Sequence, residues 1–262
     1  MNFKQCKILS EEMFTKLPNN TVWTLENEVV EESLRKRLNY PFTVTALFLL
    51  YSNLNLRNYT TFSVKELIEE CGYKVETKKI RAFKDFLKDL VELNILSDLS
   101  VDINEVKKNE FIKAKLNLGV ESQFYLVYEE QFKKIFNSDY TVEEKNNTFT
   151  FLCYILSRIK TLKELSNGGN IQYCYFEYKR AEIDLGISKK TLIKSNEILN
   201  NLGLIYSDYV GKINNANCCN VYSLTKDGMI FGLRYSYNYY DCAFPLEFKP
   251  KEEYKNLIKD RN

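Results

Sequence analysis

The chain contains no histidine, and that one absence removes the commonest general base, the usual zinc-site imidazole and every histidine-dependent triad. Nucleases and relaxases that hold a metal with paired histidines are excluded with them. Carboxylates are plentiful, but no pair of them sits in a recognisable acid–base or metal constellation. No GxxxxGK phosphate loop occurs, so Asn167-Gly168-Gly169-Asn170 reads as a plain turn. The expectation is a protein that is not an enzyme and has no cofactor and no metal. No CxxC pair occurs either: Cys6, Cys71, Cys153, Cys174, Cys218, Cys219 and Cys242 are scattered, and an odd count without framework spacing predicts reduced thiols in a cytoplasmic protein. Long apolar runs are missing. The longest, near 44–51, is too short to span a bilayer, and Lys4, Lys7, Glu11 and Glu12 precede it, which predicts no signal peptide and no membrane.

Neither sign of charge dominates. The formal net charge is +2, so a basic surface for nucleic acid would have to be local. What the sequence does have is a normal apolar fraction of 45%, enough for a packed core, and many aromatics, 19 Tyr and 17 Phe. With abundant Asn, Lys and Ile, the aromatics read as an AT-rich coding sequence more readily than as a base-stacking platform. Tyr235, Tyr237, Tyr239 and Tyr240 accordingly read as a packed tail or an interface.

An internal repeat organises the chain. Ala46, Leu47, Leu50, Tyr51 and Leu54 form an apolar stripe at helical spacing, and Phe151, Leu152, Ile155, Leu156 and Ile159 repeat it. Leu67-x-x-x-Cys71-Gly72-Tyr73 is matched by Ala181-x-x-x-Leu185-Gly186-Ile187, each a short helix ended by a glycine suited to the left-handed C-cap. A longer amphipathic helix follows each. In the first copy Thr77 is the expected cap and Ile80, Phe83, Phe86, Leu87, Leu90 and Val91 the buried face. In the second, Ser188 caps and Leu192, Ser195, Ile198, Leu199 and Leu202 are buried. These helices end at Leu93-Asn94-Ile95-Leu96 and Leu202-Gly203-Leu204-Ile205, where Asn and Gly tolerate the left-handed conformation. Strands are expected at 60–62, 111–116 and 123–128 in the first copy, and at 171–176, 204–209 and 220–224 in the second. The last two strands of each copy would form a two-stranded wing.

The run from Ala181 to Leu224 resembles a bacterial winged helix in its Gly186-Ile187-Ser188-Lys189-Lys190-Thr191 turn. The exit Leu199-Asn200-Asn201-Leu202-Gly203-Leu204-Ile205 and the closing strand Asn220-Val221-Tyr222-Ser223-Leu224 add to the likeness. With Phe14-Thr15-Lys16-Leu17-Pro18 ahead of the first copy, the chain resembles the tandem winged-helix replication initiators and replisome organisers of plasmids and phages of low-GC Gram-positive bacteria. The first copy departs from the pattern at Tyr73-Lys74-Val75-Glu76. The resemblance implies an α+β, mainly helical fold with two tandem winged-helix domains, at 41–136 and 147–240. An N-terminal extension (1–40), a polar boundary (137–147) and a tail (241–262), read as a short helix or loose end, complete the division. A helix at 26–38 would pack beside the first module or form a dimer contact.

The implied function is sequence-specific binding of double-stranded DNA, as a replication initiator or origin-binding protein, with host replication proteins and a homodimer through one module as further partners. A transcriptional regulator or conjugation accessory protein is the alternative, and a protein–protein adaptor that binds no DNA is another. In a helix-turn-helix the second helix enters the major groove. Its candidate contacts are Lys189, Lys190, Thr191 and Lys194 in the second copy and Lys78, Arg81, Lys84 and Lys88 in the first. Asp85 and Glu92 interrupt the latter stripe. Lys212, and Lys113 and Lys115, would act from the wings. Lysines in the first turn oppose the helix dipole, which argues for an anionic partner.

Overall fold

The computed structural model describes residues 14–22, 32–117, 124–162, 171–241 and 246–259. Among them α and β elements are mixed, helices predominate, and every strand pairing is antiparallel within a small sheet. The chain divides into two compact units, Met1–Cys153 with Asp184–Gly186, and Tyr154–Ile183 with Ile187–Asn262.

In the first unit, strand β1 (Phe14–Pro18) leads to a short 3-10 turn, and helix α1 (Leu34–Leu38) is followed by α2 (Thr43–Ser52). Helix α2 is apolar all round and buried from Thr43 to Tyr51, as a helix without a polar face must be. Strand β2 (Tyr59–Ser63) runs into α3 (Val64–Glu70) through a capping box, in which the Ser63 hydroxyl accepts from Glu66 N and the Glu66 carboxylate accepts from Ser63 N. Gly72 (φ +83°) closes α3, with Tyr73 N donating to Ile68 O. Helix α4 (Thr77–Glu92) then buries Phe83, Phe86, Leu87 and Leu90. Asn94 (φ +55°) ends it, and Ile95 N reaches back to Leu90 O, the six-to-one bond of a Schellman cap. Strands β3 (Leu96–Ser97) and β4 (Phe111–Leu116) complete a three-stranded sheet in the order β2-β4-β3. Strand β5 (Phe124–Tyr128) pairs with β1, and α5 (Glu129–Phe136) and α6 (Val142–Arg158) follow. The division between the units falls inside α6.

The second unit repeats this order. Strands β6 (Lys160–Leu162) and β7 (Ile171–Phe176) precede α7 (Tyr178–Leu185) and α8 (Lys189–Asn201). Gly203 (φ +64°) ends α8 with the same cap, Leu204 N donating to Leu199 O. Strands β8 (Tyr206–Asp208), β9 (Gly211–Ile213), β10 (Ala216–Asn217) and β11 (Asn220–Ser223) follow, and the sheet order is β6-β7-β11-β8. Tyr222 and Phe176 stack on one face of this sheet, with ring centroids 4.3 Å apart. On the other face lies α9 (Lys226–Asp241), whose Met229 and Leu233 share a core with Tyr173, Val210 and Val221. Strand β12 (Glu247–Phe248) pairs with β9, and α10 (Glu252–Lys259) sends Tyr254 and Ile258 into the same core.

Several expectations differ from this arrangement. The first wing does not pair 111–116 with 123–128; β4 instead lies between β2 and β3, and β5 joins β1. The polar stretch after β3 is itself the connection of that hairpin, held down by buried Ile103 and Val106. Thr77 is the first helical residue, not the cap: Glu76 occupies the N-cap in extended conformation and makes no side-chain cap bond. Val91 lies 37% exposed rather than buried. The polar boundary expected at 137–147 runs into α6, which begins at Val142, and the two units divide further on, at Cys153; Asn146 to Thr150 are buried, Asn146 Nδ2 donating to Cys71 O at 3.0 Å. The 241–262 tail does contain a short helix, but its described part packs into the second unit instead of hanging free. Of the helix expected at 26–38, residues 26–31 lie outside the described residues, as do Cys6, Cys242 and the 167–170 turn.

Candidate nucleic-acid interface

The second unit gathers most of its candidate residues on the exposed side of α8. The apolar side of this helix holds Leu192, Ser195, Ile198 and Leu199 in the core, so Lys189, Lys190, Ile193, Lys194 and Glu197 must face outward, and all five are exposed. Ser188 caps the helix, its hydroxyl accepting from Thr191 N at 3.3 Å and lying 2.9 Å from Thr191 Oγ1. Thr191 is therefore half-buried and serves the cap. Replacing Ser188 by Ala should cost roughly 1 kcal/mol, read as a shift of the chemical-denaturation midpoint. An unchanged midpoint would mean that the cap bond does not form in solution.

The amide end of α8 is not left unmet. Glu182 on α7 places Oε1 3.1 Å from Lys189 N, so an acid from the preceding helix already meets the amide at the start of α8. The lysine side chains, more than the helix end, are what the site offers to an anion. Lys190 and Lys189 have exposed side chains, and Lys194 Nζ stands 4.0 Å from Glu197 Oε2, an exposed pairing worth well under about 1 kcal/mol.

Beyond α8, the turn between β9 and β10 carries Asn214 (φ +49°) and Asn215 (φ +64°). Two consecutive left-handed residues make the type I′ turn that suits a two-residue hairpin. Sequence spacing suggested only a loop here. Lys212 sits on β9, half-buried, with Asn217 opposite it on one side and Glu247 on the other. Between α8 and this hairpin opens a cleft of about 1050 Å³ that Lys189 lines and Lys190, Lys194 and Lys212 do not. Lys179 on α7 and Lys251 ahead of α10 also reach it. Neither was singled out from sequence, and for Lys251 no local signal exists, because the chain returns to the cleft only through the β12–β9 pairing. Lys251 N donates to Asp208 Oδ2 at 2.7 Å and Lys251 Nζ to Ser207 O at 3.1 Å. Burial pushes the Asp208 carboxyl up, while bonds from the Lys251 and Tyr209 amides act in the opposite direction.

In the first unit the candidates are spread along α4. Lys78 and Arg81 are exposed; Arg81 Nε lies 3.8 Å from Asp85 Oδ2, and Lys88 Nζ lies 3.6 Å from Asp85 Oδ1. Lys84 Nζ donates to Asn104 O at 3.1 Å, so the loop between β3 and β4 leans on the face that was expected to meet DNA. Lys113 stands over the Tyr59 ring at 4.9 Å, and Lys115 is half-buried on the same strand. Three of the four α4 candidates thus have partners within the unit.

Other chemistry is sparse among the described residues. No group of three or more His, Cys, Asp or Glu could hold a metal ion, and no helix is long and apolar enough to cross a membrane. Cys71, Cys153 and Cys174 are buried, and burial pushes their thiols up, away from nucleophilic use. No family model matches the chain, and no curated protein matches it.

Proposed function

We propose that the chain is built of two tandem winged-helix modules and binds double-stranded DNA, as a plasmid or phage replication initiator or origin-binding protein. The observation that carries this reading is the repeated order helix, strand, helix, helix, strand, strand. It is built on antiparallel sheets with matching strand order, β2-β4-β3 and β7-β11-β8. In each copy the last helix turns an apolar face inward and a lysine-bearing face outward, the disposition a groove-reading helix needs. A regulator or conjugation accessory protein would use the same surfaces, and footprinting on DNA flanking the gene separates those roles from an initiator that occupies repeated sites.

The second module is the one we assign to DNA. The β3–β4 loop, to which Lys84 donates through Asn104 O, lies on the outward face of α4 and favours a protein-pairing role for the first module, with a second copy of the chain as its partner.

The test is equilibrium binding to a duplex across a salt series, comparing the wild type with the combined Lys189→Ala, Lys190→Ala and Lys194→Ala variant. Removing one lysine–phosphate pairing should flatten the slope of log K against log salt by about 0.9, so a drop of up to ~3 is expected, with affinity falling at least ~10-fold. Binding that is weak and indifferent to the three substitutions would overturn the DNA reading in favour of the adaptor.

A further inference from the structure

We propose that Arg35 and Tyr73 of the first unit bind a small monovalent anion such as chloride. This does not depend on the DNA-binding reading above. Arg35 lies on α1 and is only 5% exposed, and neither its Nε nor its Nη1 has a hydrogen-bond partner. Glu32, the acid nearest to it in the described sequence, is paired with Lys36 instead, at 3.0 Å. A guanidinium keeps its proton at any ordinary pH, so it cannot escape burial by becoming neutral. An uncompensated buried charge costs several kcal/mol, on the order of the stability of a whole domain, and a counter-charge is the remaining remedy. Burial disfavours the charged form of Arg35, and Tyr73 acts in the opposite direction.

Tyr73 is fixed by the turn that ends α3. Its N donates to Ile68 O behind the left-handed Gly72, and its ring meets Phe42 edge-on at 6.0 Å. Lys79 Nζ stands 3.9 Å over the same ring. Burial pushes the Tyr73 hydroxyl up to about 12, with Cys71 and Glu143 acting in the same direction and Arg35 against them. That hydroxyl makes no hydrogen bond among the described residues, so it can donate. The charges that act at Tyr73 are thus Arg35, Lys79 and Glu143, which leaves one positive charge over. A monovalent anion cancels it. A divalent phosphate would overshoot and would need more donors than a guanidinium and a phenol supply. The near-complete burial of Arg35 admits only a small ion.

The experiment melts the full chain in about 0.2 M potassium chloride and in the same concentration of potassium gluconate, an anion too bulky for the site, and compares the wild type with Arg35→Met. General salt effects act on both proteins and cancel in the comparison. Moving from gluconate to chloride should raise the wild-type midpoint relative to the variant's by roughly 2–6 °C. In gluconate the variant should be at least as stable as the wild type, because methionine removes the uncompensated charge. Tyr73→Phe keeps the ring, loses the hydroxyl and should respond to chloride less than the wild type. A bromide-soaked crystal of the wild type, which needs no variant to fold, should give an anomalous peak in contact with Arg35 Nε or Nη1. Equal destabilisation by Arg35→Met in both salts would show the guanidinium satisfied within the chain and overturns the proposal. A crystal with no bromide at Arg35 overturns it as well.

Discussion

Replacing Phe83 by Ala should destabilise the first unit by about 3–5 kcal/mol, the range for removing a buried aromatic ring. Phe83 is fully buried on α4, and its ring lies flat on Phe42, with centroids 3.8 Å apart and planes 8° from parallel. Tyr73 meets it edge-on at 6.2 Å, and Tyr40 and Phe86 close the group around Phe42. The loss has two parts: the transfer free energy of the ring, and a cavity that aromatic neighbours, rigid and held by the backbone, fill poorly. Urea unfolding followed by tyrosine fluorescence measures it. Phe83→Leu, which keeps much of the volume, should lose distinctly less. A deficit under about 1 kcal/mol for the alanine variant would mean that this aromatic group is looser in solution than the packing indicates.

The second large effect concerns a glycine. In the interior of an exposed helix, Gly→Ala gains about 1 kcal/mol from backbone entropy. At Gly232 on α9 the sign should reverse. An added Cβ would stand 2.5 Å from Val221 Cγ1 on β11 and 2.8 Å from the Tyr173 ring on β7, both in the core beneath the helix. Neither neighbour is the free end of a flexible chain. Overpacking of this kind costs about 1–3 kcal/mol, enough to exceed the propensity gain, so Gly232→Ala should lower the thermal midpoint. Combining it with Val221→Ala removes the nearest clashing methyl, and the pair should cost less than the sum of the two single changes. Additive losses would place the strain elsewhere.

Legibility in the sequence followed how local each signal was. The inner faces of α4 and α8 could be read because helical period and burial coincide over several turns, and Asn94 and Gly203 marked both ends because few other residues accept positive φ. Strand β3 has two residues, too few to show alternation, and its absence from the pattern led to pairing the wrong strands in the first unit. The β1–β5 ladder joins residues more than a hundred positions apart, and nothing within either segment names its partner. Helix α9 was hidden by its own composition: Gly228, Gly232 and four tyrosines are weak helix formers, and tertiary packing supplies what propensity does not. In the candidate site the lysines of α8 were found from spacing. Lys251 and the cleft it reaches were not, because they converge only after the sheet and the β12–β9 pairing form, and Glu182 was not, because its contact with Lys189 depends on the angle at which α7 meets α8.

That last pairing also bears on how the protein comes off the ribosome. Strand β9 is flanked by β10, a few residues away, and by β12, more than thirty residues later. Tyr254 and Ile258 enter the core of the second unit later still. Residues 187–241 would therefore emerge with one side of their core open and one edge of β9 unpaired, conditions that invite association with other nascent chains. The hairpin beside the cleft would take its final form only after synthesis has passed residue 258.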